Sequence, residues 1–177
     1  MKRRNFLQRV GGLLAALGLA ETEWLSLGNS YYQALAQSSQ RRLALLIGIN
    51  QYPQIPVLGG CVTDVELQTE LLINRCGFAA SDILTLTDKQ AGKDFIKAAF
   101  SEHLGKQVKS GDVVIFHFSG YGTRVNSGMG ILQNAIIPVD ENNFLGTTSS
   151  NYLLEENLLR LLRSLPTNRV TAVLDNS

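Results

Sequence analysis

Leu43 to Ile49 reads Leu-Ala-Leu-Leu-Ile-Gly-Ile, and Asn50 then leads into a loop that holds Pro53 and Pro56. A short run that is apolar on both faces fits a central strand of a parallel sheet, covered above and below. From Val62 to about Asn74, the residues Val62, Val65, Leu67, Leu71 and Leu72 recur as on one helix face, and Gly77 follows as a stop. Ile83 to Leu86 is a second strand candidate, opened by Ser81-Asp82 and closed by Thr87-Asp88. A helix from about Lys93 to Leu104 carries Phe95, Ile96, Ala99, Phe100 and Leu104 on its apolar stripe, and Val113 to Ser119 makes a third strand. Gly120 to about Leu132 reads as a long functional loop, and the short apolar pair Ile136-Ile137 ends at Pro138. Glu155 to Leu165 is a last helix, stopped by Pro166, and Val170 to Leu174 is a fourth strand.

Strands alternating with helices in this order predict an α/β fold with a doubly wound, mainly parallel sheet flanked by helices. Ligands of such sheets bind at the carboxyl ends of strands. The polar residues there are Asn50, Ser119 to Tyr121, and Asp175 to Ser177. The fourth strand is apolar enough to expect neighbours on both sides, since an unpaired edge of that kind invites aggregation. The expectation is a fragment whose further C-terminal strands are missing; an edge borrowed from a partner is the alternative.

The chain has 177 residues, 45% of them apolar, which suits one globular domain. A formal net charge of +1, from 16 basic and 15 acidic residues, gives no global electrostatic case for nucleic acid or an anionic membrane surface. The N-terminus differs in character. Lys2, Arg3 and Arg4 precede an uncharged Gly/Ala/Leu-rich stretch from Val10 to Ala20, the layout of an export signal, and Arg3-Arg4-Asn5-Phe6-Leu7 resembles a twin-arginine motif. The apolar core is shorter than the roughly 20 residues needed to span a bilayer. Ala34-Leu35-Ala36 is an A-x-A cleavage pattern, which predicts a leader over 1–36, a linker over 37–42 and the domain over 43–177. A cut after Ala20, or a retained anchor with membrane contact, stays open. The expected location is periplasmic or otherwise extracytoplasmic.

Cys61 and Cys76 are the two cysteines. If one helix separates them they stand about 22 Å apart, too far for a disulfide, so both are expected as free thiols. No Cys/His cluster has zinc-ligand spacing, and neither a metal nor a cofactor is expected. His103, in the second helix, is expected at the surface.

Four ordered segments carry a resemblance: Ala44 to Asn50 (ALLIGIN), Leu58 to Asp64 (LGGCVTD), His117 to Gly122 (HFSGYG) and Thr171 to Ser177 (TAVLDNS). Together they resemble the metacaspases and other caspase-fold peptidases of the C14 type, across most of residues 41 to 177. The resemblance implies a caspase-like sheet and, by family, a cysteine endopeptidase that cleaves after Arg or Lys. In that family the third segment usually ends Ser-Gly-His-Gly, with the His as general base, and the fourth ends Asp-x-Cys, with the Cys as nucleophile. Tyr121 and Ser177 stand at those two positions. A Cys beside an imidazole is available as thiolate, whereas a Ser hydroxyl stays protonated unless a base takes its proton in the attack. Tyrosine phenols as a class ionise near pH 10, far above what a general base at neutral pH requires. His117 lies four residues before Tyr121, about 13 Å along an extended strand, and is expected as a packed strand histidine.

The resemblance also implies an acidic pocket for the Arg or Lys side chain, at positions matching Cys61, Asp64, Ser119 and Asp175. Two carboxylates near one point bind a guanidinium or ammonium by charge-assisted hydrogen bonds. In the plainer reading Asp64 caps its helix, Cys61 fills space and Asp175 merely ends a strand. Asn126 to Asn134 has no carboxylate where the family typically has an acidic run, which removes the hard oxygen ligands that calcium needs. These features predict a pseudo-peptidase that binds a peptide or protein bearing Arg or Lys; the alternative is a peptidase using Ser177 with a base from elsewhere. A nucleotide-binding module is disfavoured, because no GxGxxG or GxxxxGK[ST] follows the first strand.

Overall fold

The computed structural model describes residues 40–126, 131–140 and 152–176. The expected leader, its A-x-A site and the first residues of the expected linker lie outside the described residues. The compact unit that holds the sheet begins at Arg41.

In chain order the elements are β1 (Arg42–Gly48), α1 (Cys61–Asn74), β2 (Ile83–Thr87), α2 (Lys93–Ala99), β3 (Val113–Gly120), β4 (Gly122–Asn126), β5 (Leu132–Ile136), β6 (Leu153–Leu154), α3 (Glu155–Arg163) and β7 (Arg169–Asn176). The main sheet has the order β2-β1-β3-β7, and all its pairings are parallel. Leu43 to Ile47 are fully buried, as a strand paired on both edges and covered on both faces must be. Alternation sorts its side chains. Leu43, Leu45 and Ile47 join Phe116, Phe118, Ile96, Phe100, Leu158 and Leu162 in one core, while Ala44 and Leu46 join Val65, Leu72 and Phe78 in the other. Helix α1 therefore covers one face of the sheet, and α2 with α3 covers the other. Each large side chain so buried contributes about 1.5–3 kcal/mol.

Several expectations are corrected. On α1 the buried stripe is Cys61, Val65 and Leu72; Leu67 and Leu71 are exposed. Steps of 100° per residue put Leu67 and Leu71 well off the line through Val65 and Leu72. Phe95, expected on the stripe of α2, is also exposed, because it precedes Ile96 by one such step. Helix α2 continues into a π turn, Phe100–Gly105, and His103 is buried rather than at the surface. It lies seven residues after Ile96, on the same helix face, and its Nε2 sits 3.1 Å from the carbonyl oxygens of both Ala44 and Asp82. That placement calls for N–H donation.

The stretch expected as one long loop carries regular structure. Strands β4 and β5 pair antiparallel, and β6 adds to β5 to make a separate small sheet. Val125, Ala135 and Ile136 are buried; with so few apolar residues, the period of two hardly shows in the sequence. Strand β7 pairs along its length with β3 and, among the described residues, with no other strand; Val173 is 40% exposed. Cys61, buried, and Cys76, exposed, are free thiols. Among the described residues no helix is long and apolar enough to cross a membrane.

Candidate functional site

The chain runs from β1 outward to β2, then returns past β1 to β3 and β7. The direction of winding thus reverses between β1 and β3, and the crevice beyond their carboxyl ends is where sheets of this kind hold ligands. Gly48 ends β1 and is level with Ser119 of β3, which in turn is level with Asp175 of β7. A Cβ on Gly48 would collide with the Cys61 carbonyl oxygen and approach Val65 Cγ2 to 2.8 Å. Glycine is what lets the first turn of α1 descend onto the strand end. That descent brings the Ser119 hydroxyl to Asp64, and Oγ donates to Oδ2 at 3.1 Å.

Cys61, Asp64, Ser119 and Asp175 therefore gather at one end of the sheet. Asp64 does not spend its carboxylate as the plainer reading had it: no side chain of α1 caps its own start, and the amide of Val62, in its first turn, donates to Asn50 Oδ1 at 3.3 Å. Cys61 and Ser119 are buried, whereas Asp64 is half-buried and Asp175 exposed.

Tyr121 follows β3 and is held from several sides. Its hydroxyl donates to the Pro56 carbonyl at 3.2 Å, and its ring meets Tyr52 edge to face with centroids 5.2 Å apart. Its backbone N–H donates to the Tyr52 hydroxyl, 3.0 Å away, which itself donates to the Ile137 carbonyl at 3.0 Å. Burial pushes the Tyr52 phenol pKa well up, keeping that hydroxyl protonated as the bridge requires. Ser177 lies outside the described residues.

His117 is buried on β3, and neither ring nitrogen has a hydrogen-bond partner among the described residues. Loss of solvent holds its pKa below the ordinary value, although the charges of Asp64 and Asp175 pull the other way. Its neighbours in register are Leu46 and Val173. It is a packed strand histidine, as expected.

Three contributors escaped the sequence reading. Gly48 passed as one more member of an apolar run, and Tyr52 had no pattern to mark it. Asp88, read only as the end of a strand, takes a positive φ of 44°, which costs a non-glycine residue energy. Its Oδ1 accepts the backbone N–H groups of Asn50 at 2.8 Å and Gln51 at 2.9 Å, anchoring the start of the loop that reaches Pro56. Among the described residues no group of three or more His, Cys, Asp or Glu side chains is placed to hold a metal ion. A cavity of about 210 Å³ lies on the other face of the sheet, between α2 and α3, away from the acidic residues.

The family model described as "Caspase domain" matches residues 41–177. This chain belongs to the caspase-domain family. Metacaspase-9 of Arabidopsis thaliana is 38% identical over 113 residues, 58% of this chain and 35% of the relative. Metacaspase-1 of Candida glabrata is 30% identical over 162 residues, 84% of this chain and 39% of the relative. Metacaspase-7 of Arabidopsis thaliana is 48% identical over 88 residues, 46% of this chain and 21% of the relative. The caspase-domain chain thus spans well under half the length of these curated relatives. A crystal structure of a Geobacter sulfurreducens protein shares the fold, with a TM-score of 0.58 and 22% identity over 76% of this chain and 48% of that one.

Proposed function

We propose that this caspase-domain chain binds an Arg or Lys side chain of a peptide or protein in an acidic pocket formed by Cys61, Asp64, Ser119 and Asp175, and does not cleave it. The observation that carries the second half is at Tyr121. The residue at the family's base position is a phenol that directs its proton to the Pro56 carbonyl and braces the loop after β1. A general base must stand ready to accept a proton from the nucleophile; this hydroxyl already serves as a donor in a structural contact. His117 does not replace it, being buried further down β3 with both nitrogens enclosed.

Support for the pocket comes from the Ser119–Asp64 hydrogen bond and from the register that sets Ser119 beside Asp175. Two carboxylates flanking a hydroxyl suit a guanidinium or an ammonium. The role is that of a binding or regulatory domain of the peptidase family. We place it outside the cytoplasm on the strength of Arg3, Arg4 and the apolar stretch from Val10 to Ala20.

The test is restoration. Tyr121→His with Ser177→Cys in the complete protein is expected to produce cleavage after Arg or Lys in fluorogenic peptides, with none above background from the parent. Parent turnover that disappears in Ser177→Ala would overturn the non-catalytic reading and establish a serine nucleophile with a base from elsewhere.

A further inference from the structure

The acidic pocket has a buried histidine beneath it that neither the fold nor the proposed binding uses. Alternation along β3 puts His117 on the same face as Ser119, one pleat deeper, about 7 Å along the strand. That face is the one α1 covers: Val113 and Ile115, at the same parity, pack with Val65 and Leu72. The ring is 6% exposed, and both nitrogens are buried without a hydrogen-bond partner among the described residues. A polar group enclosed in that way costs stability, about 1–3 kcal/mol, so a hydrocarbon would serve better if packing were the whole purpose.

The charged surroundings of the ring are one-sided. Asp175 of β7 is level with Ser119, two residues beyond the level of His117, and Asp64 of α1 is bonded to Ser119; the charges of both carboxylates act on the ring. Cys61 is the other ionisable group at this end of α1. The β1 residue level with it is Leu46, and Val173 is level with it on β7, so neither strand puts a basic side chain beside it at that level.

We propose that His117 is a proton gate for the pocket: once protonated it becomes the pocket's own cation and competes with a basic side chain for Asp64 and Asp175. The inference rests on the pocket proposed above and adds its regulation. The ring nitrogens are out of the ligand's reach, so the coupling passes through the carboxylates, and His117 is a positioning residue. In the neutral state the two carboxylates are left for the ligand. On protonation the imidazolium gains a second donor and a positive charge and turns toward the carboxylates, neutralising part of the charge that the ligand needs. Burial lowers the pH of this step below the ordinary histidine value, so the pocket is open at neutral pH and closes as pH falls through that lowered value.

The test uses agmatine, an alkyl guanidinium, titrated calorimetrically into the full chain between pH 7.5 and 5. Affinity is expected to fall with pH, approaching tenfold per unit below the His117 pKa, the limit for one competing proton. His117→Leu is expected to remove most of that fall, leaving only what any carboxylate pair contributes. Binding and linkage are reciprocal, so the parent offers a second measurement that needs no variant. Saturating agmatine should lower the His117 pKa followed through its ring proton by NMR. An unmoved His117 pKa, or the same pH profile in a folded His117→Leu protein, would overturn the gate. Asp64→Asn separates the two ideas: if it abolishes agmatine binding while the pH profile ignores His117, the pocket stands and the gate falls. Agmatine binding that survives Asp64→Asn, or no binding by the parent at any pH, would sink both.

Discussion

Gly48 has no side chain to lose, yet its position governs whether Asp64 reaches Ser119. A methyl group there would press on the Cys61 carbonyl, which belongs to backbone and cannot rotate away, and on Val65 Cγ2 at 2.8 Å. Gly48→Ala is expected to lower stability by about 1–3 kcal/mol, as overpacking does, read as a shift of the urea midpoint. An unshifted midpoint would show that α1 yields freely. Nothing in Leu-Ala-Leu-Leu-Ile-Gly-Ile marks this demand, because the group that would collide is supplied by a residue 13 positions later. Tyr121 is the opposite case. Its place in Ser-Gly-Tyr-Gly is plain in the sequence, whereas its hydrogen bond to Pro56 is visible only once the loop has folded back.

At the scale of elements, the loop between β1 and α1 depends on Asp88, which stands in the turn after a different strand. Its Oδ1 takes two backbone N–H groups, and Asn50, once anchored, takes the Val62 amide in the first turn of α1 through its own Oδ1. Asp88→Ala strands both donors, and a loss of about 1–2 kcal/mol is expected, with faster proteolytic cutting between 51 and 60. Asp88→Asn keeps an Oδ1 and tolerates the positive φ, so it should cost clearly less; equal losses would show that the hydrogen bonds are not what holds the loop. The alternation of strands and helices was legible because long apolar runs and helical spacing are local signals. The β4–β5 hairpin was not, since Val125 and Ala135 are too few to declare a period and their burial comes from packing on the main domain. Phe95 and Leu67 failed in the other direction: apolar residues that the helices leave in solvent.

For the whole molecule, His117 ties folding to pH. The unfolded chain takes up a proton near pH 6.5, whereas the folded chain resists it down to a lower pH. Between those values the unfolded state binds more protons, so stability rises with pH through that window, and it levels off above it. The melting temperature is expected to fall as pH drops from 7.5 to 5.5, and His117→Leu should flatten that fall in scanning calorimetry. A parent curve that matches the variant would remove His117 from the linkage.

The sequence by itself determined the family and the order of the main strands and helices, because each is written in contiguous residues. It also named Cys61, Asp64, Ser119 and Asp175. Their convergence was decided by the tertiary structure alone, through the parallel register of β1, β3 and β7 and the close descent of α1 onto Gly48. The same packing enclosed His103 and His117, one against carbonyl oxygens and the other beneath two carboxylates. Such environments come from residues distant in the chain, and no local pattern encodes what those residues place beside a ring.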